Sequence, residues 1–267
     1  MKITIIGAGN IGSAIARGFA KGRLVSSSDI TCTVHTEDTF GRLKDANFSF
    51  RLLRDNVAAV KEADIIILAV KPWRIQEVID EIRHVLHYDK QLIVSVAAGI
   101  TFEQLNTFLT RNIDSDSLAL PTVFRVMPNT AVEVMSSMTF IAASNASEEQ
   151  TEQVLTLFRE LGNVMLVEER LIGPGTALAS SGIAFAMRYI RAAIEGGVEL
   201  GFYPKEAQEI VVHTVKGAVD LLIENKSNPE TEIDKVTTPG GVTIRGLNEM
   251  ELSGFTSSVI RGLKASK

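Results

Sequence analysis

Gly7-Ala8-Gly9-Asn10-Ile11-Gly12 is a complete G-x-G-x-x-G near the amino terminus of a 267-residue chain. Its chemistry is phosphate binding. Gly7 allows a tight turn, Gly9 lets the backbone approach a pyrophosphate, and Gly12 lets a helix pack close on a strand. Free N–H groups at the helix start, around Asn10 and Ile11, and the positive end of the helix dipole then hold the phosphates. The competing reading is a glycine turn that only packs. The context favours a dinucleotide site, because an apolar run, Ile3–Ile6, precedes the loop and a helical pattern follows it. The adenosine ribose of such a ligand is read at the end of the second strand, here Val34-His35-Thr36-Glu37-Asp38. His35 and Thr36 offer hydrogen bonds to a 2′-phosphate, but no Arg is adjacent. Glu37 or Asp38 serves a 2′-hydroxyl or simply starts the next helix. The choice between NADP(H) and NAD(H) stays open here, with NADP(H) as the working expectation.

Two further turns fall at strand ends, where open α/β sheets bind ligands. Ala69-Val70-Lys71-Pro72 and Ala97-Ala98-Gly99 are expected to border the nicotinamide half of the coenzyme. Lys71 is otherwise a solvated charge before a proline-initiated turn. In Met127-Pro128-Asn129-Thr130, Asn129 either closes over the ligand or satisfies its own turn. Far along the chain, Thr237-Thr238-Pro239-Gly240-Gly241-Val242-Thr243 forms a tight turn before a helix. Successive N–H groups there make an anion nest that suits a carboxylate, and Thr243 aims a hydroxyl into the same space. An ordinary helix cap is the alternative. The four histidines, at positions 35, 84, 87 and 213, form no metal-ligand spacing, so no metal is expected. Redox chemistry carried by a nucleotide fits these residues better than hydrolysis.

The elements that must position these groups change character along the chain. Strands are predicted at Ile3–Ile6, Ile30–His35, Phe48–Leu52, Asp64–Val70, Leu92–Val96, Val123–Met127, Met138–Ala142 and Val164–Val167. Helices alternate with them, at Ile11–Gly22, Asp38–Asp45, Asn56–Glu62, from Ile75 onward, Phe102–Leu109 and Glu148–Leu161. That alternation implies an α/β fold, an N-terminal Rossmann-type, doubly wound parallel sheet. Beyond about residue 168 the pattern is all-α. A long helical stretch, Thr176–Leu200, breaks near Ser180-Ser181-Gly182, another starts at Pro204, and two more cover Thr243–Glu251 and Thr256–Lys264. These helices are apolar on almost every face and need cover on every face, which points to a second copy of the chain. The expected division is a dinucleotide-binding domain, 1–165, and a helical substrate-binding and dimerisation domain, 166–267.

Composition bounds the rest. With 27 Lys and Arg against 32 Asp and Glu, the net charge is −5, which argues against a nucleic-acid partner. The longest aliphatic run, Ile65–Val70, falls far short of the ~20 residues that span a bilayer, so no membrane span is expected. The single cysteine, Cys32, fits a reducing cytoplasm.

The glycine loop, Ala69–Pro72, Ser95–Thr101, Arg125–Thr130 and Val236–Leu247, in that order, resemble the pyrroline-5-carboxylate reductase family over essentially the whole chain. The resemblance implies reduction of 1-pyrroline-5-carboxylate to L-proline, the last step of proline biosynthesis, by hydride transfer from NADPH or NADH. It further implies that Thr238, Gly240 and Gly241 hold the substrate carboxylate and that Thr243 hydrogen-bonds the ring nitrogen. A helical dimer, assembling into rings of dimers, is implied as well. Where the family usually carries Ser-Gly-Ser-Gly-Pro-Ala-Tyr, this chain has Ala179-Ser180-Ser181-Gly182-Ile183-Ala184-Phe185. That departure, at Ile183, motivates one alternative, a related imine or ketone reductase with an altered substrate; a second, of another class, is a non-catalytic NADP(H)-binding regulatory paralogue, against which the intact Thr243, Gly240 and Gly241 argue.

Overall fold

Short apolar strands alternate with amphipathic helices through the first of two units, Met1–Ser180, in the computed structural model, which describes residues 1–44, 48–110 and 120–267. The order is β1 (Ile3–Ile6), α1 (Asn10–Lys21), β2 (Ile30–Thr33), α2 (Glu37–Lys44), β3 (Arg51–Leu53), α3 (Asn56–Val60), β4 (Ile65–Leu68) and α4 (Ile75–Ile82). It continues with β5 (Leu92–Ser95), α5 (Phe102–Leu109), β6 (Thr122–Met127), β7 (Ser137–Ser144), α6 (Glu148–Arg159), β8 (Gly162–Leu166) and α7 (Ile172–Gly175). The strands form one sheet in the order β3-β2-β1-β4-β5-β6-β7-β8. The chain leaves β1 towards β2 and β3 on one side and returns to β4 on the other, so the sheet reverses direction between β1 and β4. Loops that diverge at such a point open a crevice at the carboxyl ends of the strands.

The central strands β1, β4, β5 and β6 are buried at every position and mostly apolar, because both faces of the sheet are covered. Ile3, Ile5, Ile65, Ile67 and Phe124 are buried with Ile15 and Phe19 of α1 and Val154 and Phe158 of α6. The Phe19 and Phe158 rings meet edge to face at 5.4 Å. On the other face Ile6, Ile66, Leu68 and Ile93 are buried with Val78, Ile79 and Ile82 of α4 and Leu105 of α5.

Several expectations shift. The sheet is not uniformly parallel, since β6 and β7 run antiparallel. Only Pro128–Ser136 joins them, much of it the tight 3-10 turn Thr130–Val134, and a parallel return needs a dozen residues or more. The edge strand expected at Phe48–Leu52 is the shorter β3. The short helix expected at Asp38–Asp45 is α2, and its last expected residue, Asp45, lies outside the described residues, as do 46–47 and 111–119. The first compact unit runs to Ser180. Ile172 is buried there with Met127, Phe140 and Ala142, which ties the start of the helical region to the sheet.

After α7 comes a π-helical turn, Thr176–Ser181, at the expected break. The second unit, Ser181–Lys267, consists of α8 (Gly182–Glu199), α9 (Pro204–Asn225), α10 (Pro229–Val236), α11 (Val242–Leu252) and α12 (Phe255–Ala265). Helix α10 was not anticipated, although Asn228-Pro229 carries a start signal: Asn228 Oδ1 accepts from the Thr231 amide at 3.1 Å and Pro229 opens the first turn. Among all the residues of these five helices, Ala207 alone is buried.

Candidate active site

The glycine loop is shaped by what surrounds each glycine. Gly7 has φ +89°, and a Cβ there would stand 2.5 Å from Val70 Cγ1. A Cβ on Gly12 would stand 2.5 Å from the Gly7 carbonyl oxygen, so α1 seats on β1 only without one. Gly9 differs: an added Cβ would meet nothing within 4 Å, and its φ of −68° suits any residue. The loop is fastened to the end of β2, where the Gly7 amide donates to Thr33 Oγ1 at 3.2 Å and the Ala8 amide to the Thr33 carbonyl at 3.0 Å. Helix α1 starts with no side-chain cap on Gly9, which leaves its first N–H groups unspent beneath the open face of that glycine. This combination fits a pyrophosphate: free amides, the positive helix end, and room that a side chain would fill.

Above this loop lies a cleft of ≈ 650 Å³. Gly7, Gly9, Asn10 and Ile11 line it at one end, His35 and Thr36 at another. Ala69, Val70, Lys71 and Pro72 form one wall, and Ala97 and Ala98 continue it. The structure thus brings most of the expected coenzyme residues together around one space. Gly12 is buried beneath it. Gly99, at φ +79°, turns the chain after β5 without lining the cleft, and Asn129 does not line it either. Asn129 is buried and committed: its Oδ1 accepts from the Ala131 amide at 3.0 Å and its Nδ2 donates to the Ala179 carbonyl at 3.4 Å. Together with Ser180 Oγ donating to the Pro128 carbonyl at 3.1 Å, it fastens the turn after β6 to the π-helical turn.

The cleft has residues that the strand-end reading missed. Thr39, Arg42 and Arg74 line it too. The signal for the first two was spacing, since Thr36, Thr39 and Arg42 recur every third residue and fall on one side of α2. Of Glu37 and Asp38, neither lines the cleft, and both belong to the first turn of α2. Cys32 is buried within β2, where loss of solvent pushes its thiol up to about 12 and leaves it unreactive.

In the second unit, Thr238–Gly241 is a closed turn, with the Gly241 amide donating to the Thr238 carbonyl at 2.9 Å and Gly240 at φ +70°. The Gly241 amide is therefore spent on the turn rather than free for an anion. Gly241 caps α11 without a side chain, so the unspent donors are the amides that open this helix, Val242 and Thr243 onward. Thr243 stands in that first turn, exposed. Arg245 Nη2 donates to the Gly240 carbonyl at 3.2 Å and adds a cation beside the turn.

A family model described as pyrroline-5-carboxylate reductase dimerisation matches residues 169–267, and one described as NADP oxidoreductase, coenzyme F420-dependent, matches residues 2–99. Pyrroline-5-carboxylate reductase 2 of Dictyostelium discoideum is 35% identical, with 99% of this chain and 90% of that protein covered. The chain belongs to the pyrroline-5-carboxylate reductase family. Reductase 1 of the same organism is 36% identical, and the chain spans 48% of its length. The solved pyrroline-5-carboxylate reductase of Coxiella burnetii shares 28% identity and superposes with a TM-score of 0.87 over 99% of this chain and 95% of its own. The Plasmodium falciparum structure with NADP bound has the same fold at 23% identity, with a TM-score of 0.88 over 100% and 95%. The matched dimerisation model covers the helical part of the chain and supports self-association through it. Among the described residues, no helix is long and apolar enough to cross a membrane.

Proposed function

We propose that this chain reduces 1-pyrroline-5-carboxylate to L-proline with NADPH. The observation that carries this reading is the relationship to reductases of that name, at 35% identity over 90% of one of them. The site geometry supports it residue by residue. Amides of Asn10 and Ile11, under the open face of Gly9, hold the coenzyme pyrophosphate, while Gly7 and Gly12 build the turn. His35 and Thr36 face its adenosine ribose. Ala69–Pro72 and Ala97 border its nicotinamide half, and Gly99 turns the chain behind them. Asn129, already committed to its turn, shapes that border from outside.

The substrate is a cyclic imine with one carboxylate. Residues 238–241 form the turn, and the open amides at the start of α11 hold the carboxylate beside it. Thr243 Oγ1 accepts a hydrogen bond from the protonated ring nitrogen and so orients the C=N carbon. When bound, the reduced nicotinamide supplies a hydride to that carbon. The nitrogen loses its positive charge as this happens, so a neutral hydroxyl is an adequate partner and no acid–base pair is required. What the protein contributes is placement, with reacting atoms held within about 3–3.5 Å.

By this reading, the domain division near 165 separates a coenzyme-binding part from a substrate-binding and dimerisation part. Dimers assemble further into rings, and the enzyme works in the cytoplasm, where Cys32 stays reduced. The test is a purified-enzyme assay of the five-membered and six-membered cyclic imino acids with NADPH and NADH side by side. Turnover of the five-membered ring is expected. Turnover of the larger ring alone would assign a different imine substrate, and coenzyme binding without turnover of either would assign a regulatory role.

A further inference from the structure

At the strand end after β2, the side chains beside the space for the coenzyme's ribose favour a phosphate there. An NAD site needs a carboxylate on the ribose diol. The two carboxylates at hand turn elsewhere: Glu37 pairs with Arg54, and Asp38 pairs with Arg42 at 3.3 Å. Both are about four-fifths exposed, at 80% and 81%. Among the described residues, the cleft lining contains no Asp or Glu, yet it contains His35, Arg42, Lys71 and Arg74.

Two of these cations differ in freedom. Arg74 is braced on Glu77 through both Nε, at 3.2 Å, and Nη2, at 2.8 Å. Arg42 meets Asp38 through Nε at 3.3 Å, and its Nη2 donates to Thr39 Oγ1 at 3.3 Å. Thr39 Oγ1 in turn accepts from Thr36 Oγ1 at 3.0 Å. One guanidinium edge and two hydroxyls thus share one face at the rim of the cleft. That is the donor set for a phosphate monoester. An exposed ion pair such as Asp38–Arg42 contributes little, so a nearly dianionic phosphate displaces it.

We propose that Arg42, with Thr36 and Thr39, binds the 2′-phosphate of the coenzyme and is the residue that makes this chain select NADPH over NADH. The proposal rests on reading the cleft as a dinucleotide site, and the experiment separates the two. Kinetics of Arg42→Ala and Asp38→Asn are measured with both coenzymes. Binding of adenosine 2′,5′-bisphosphate and of AMP, which carries no 2′-phosphate, is measured by calorimetry. Arg42→Ala should weaken NADPH and the bisphosphate about 10- to 100-fold, the usual range for a hydrogen bond to a charged group, and leave NADH and AMP within about two-fold. Asp38→Asn, which frees the guanidinium, should tighten the bisphosphate by up to about five-fold and leave AMP unchanged. Arg42→Ala variants that weaken both coenzymes equally, or neither, would overturn the assignment, as would an Asp38→Asn variant that binds the bisphosphate more weakly. If Gly9→Val also left both coenzymes bound normally, the dinucleotide reading of the cleft would fall instead.

Discussion

Gly9→Val separates ligand binding from folding more cleanly than any other substitution in the glycine loop. Gly9 is extended at φ −68°, and a Cβ there meets nothing within 4 Å, so the backbone and the packing both accept valine. The cost to stability is that of a poor helix cap, about 0.5–1 kcal/mol, or a few degrees in Tm. The ligand fares worse, because the new side chain occupies the space over the unspent amides of α1. Losing two charge-assisted amide bonds to the pyrophosphate costs about 3–6 kcal/mol, which is roughly 10²- to 10⁴-fold in Kd. Gly12→Val is the contrasting variant. Its Cβ would stand 2.5 Å from the Gly7 carbonyl oxygen, so it should lower Tm by roughly 10 °C or more as well as abolish binding. The assay is a thermal melt alongside NADPH titration. Trp73, the single tryptophan, is 76% exposed between two cleft-lining residues and reports ligand by energy transfer to the reduced nicotinamide. Gly9→Val binding NADPH within about three-fold of the parent would refute the reasoning, and so would a melt as low as that of Gly12→Val.

Thr243→Ala should lower kcat about 10- to 100-fold, the cost of one hydrogen bond to a charged ring nitrogen, with the KM for NADPH within two-fold; steady-state kinetics decide. Gly162→Ala should cost about 2–4 kcal/mol, or roughly 5–15 °C in a calorimetric melt, because φ is +137° there and a Cβ would collide with the Ser137 backbone across the β7–β8 pair. Cys32, buried and with its thiol raised to about 12, should resist alkylation at mildly alkaline pH in the native protein and react fully in denaturant, as mass spectrometry would show.

What was legible in the sequence was local. The loop from β1 into α1 and the apolar β4 follow from glycine spacing and from burial on both faces. The unread parts depend on contacts between distant residues or on side-chain reach. Asn129 offers an amide in a turn by pattern, and only the Ala179 carbonyl, fifty positions away, shows that the amide is taken. Arg42 escaped a reading that stopped at the strand end, because it arrives from the far side of the first turn of α2. The nest at 238–241 was recognisable as a turn, but the closing bond that spends the Gly241 amide moves the available donors forward onto α11. The antiparallel β6–β7 pair depended on a link too short to cross over, which no strand pattern shows.

The two units hold themselves together by different means, and that difference bears on function. The first buries its own strands and helices on both sides of one sheet, so the coenzyme cleft belongs to a self-sufficient scaffold. The second leaves large apolar side chains in solvent, among them Leu200 at 83%, Val242 at 82% and Leu252 at 82%. Full burial of three such side chains is worth roughly 5–9 kcal/mol, which is of the order of the ~4–15 kcal/mol that association costs in lost freedom. A few more of the same kind make association strongly favourable. Order in the helical unit is therefore linked to self-association rather than added to it afterwards. Val242 and Thr243 are adjacent on α11, the first an apolar side chain in need of cover and the second the proposed partner of the substrate nitrogen. On the proposed function, the demand for cover at Val242 and the orientation of the substrate fall on the same helical turn.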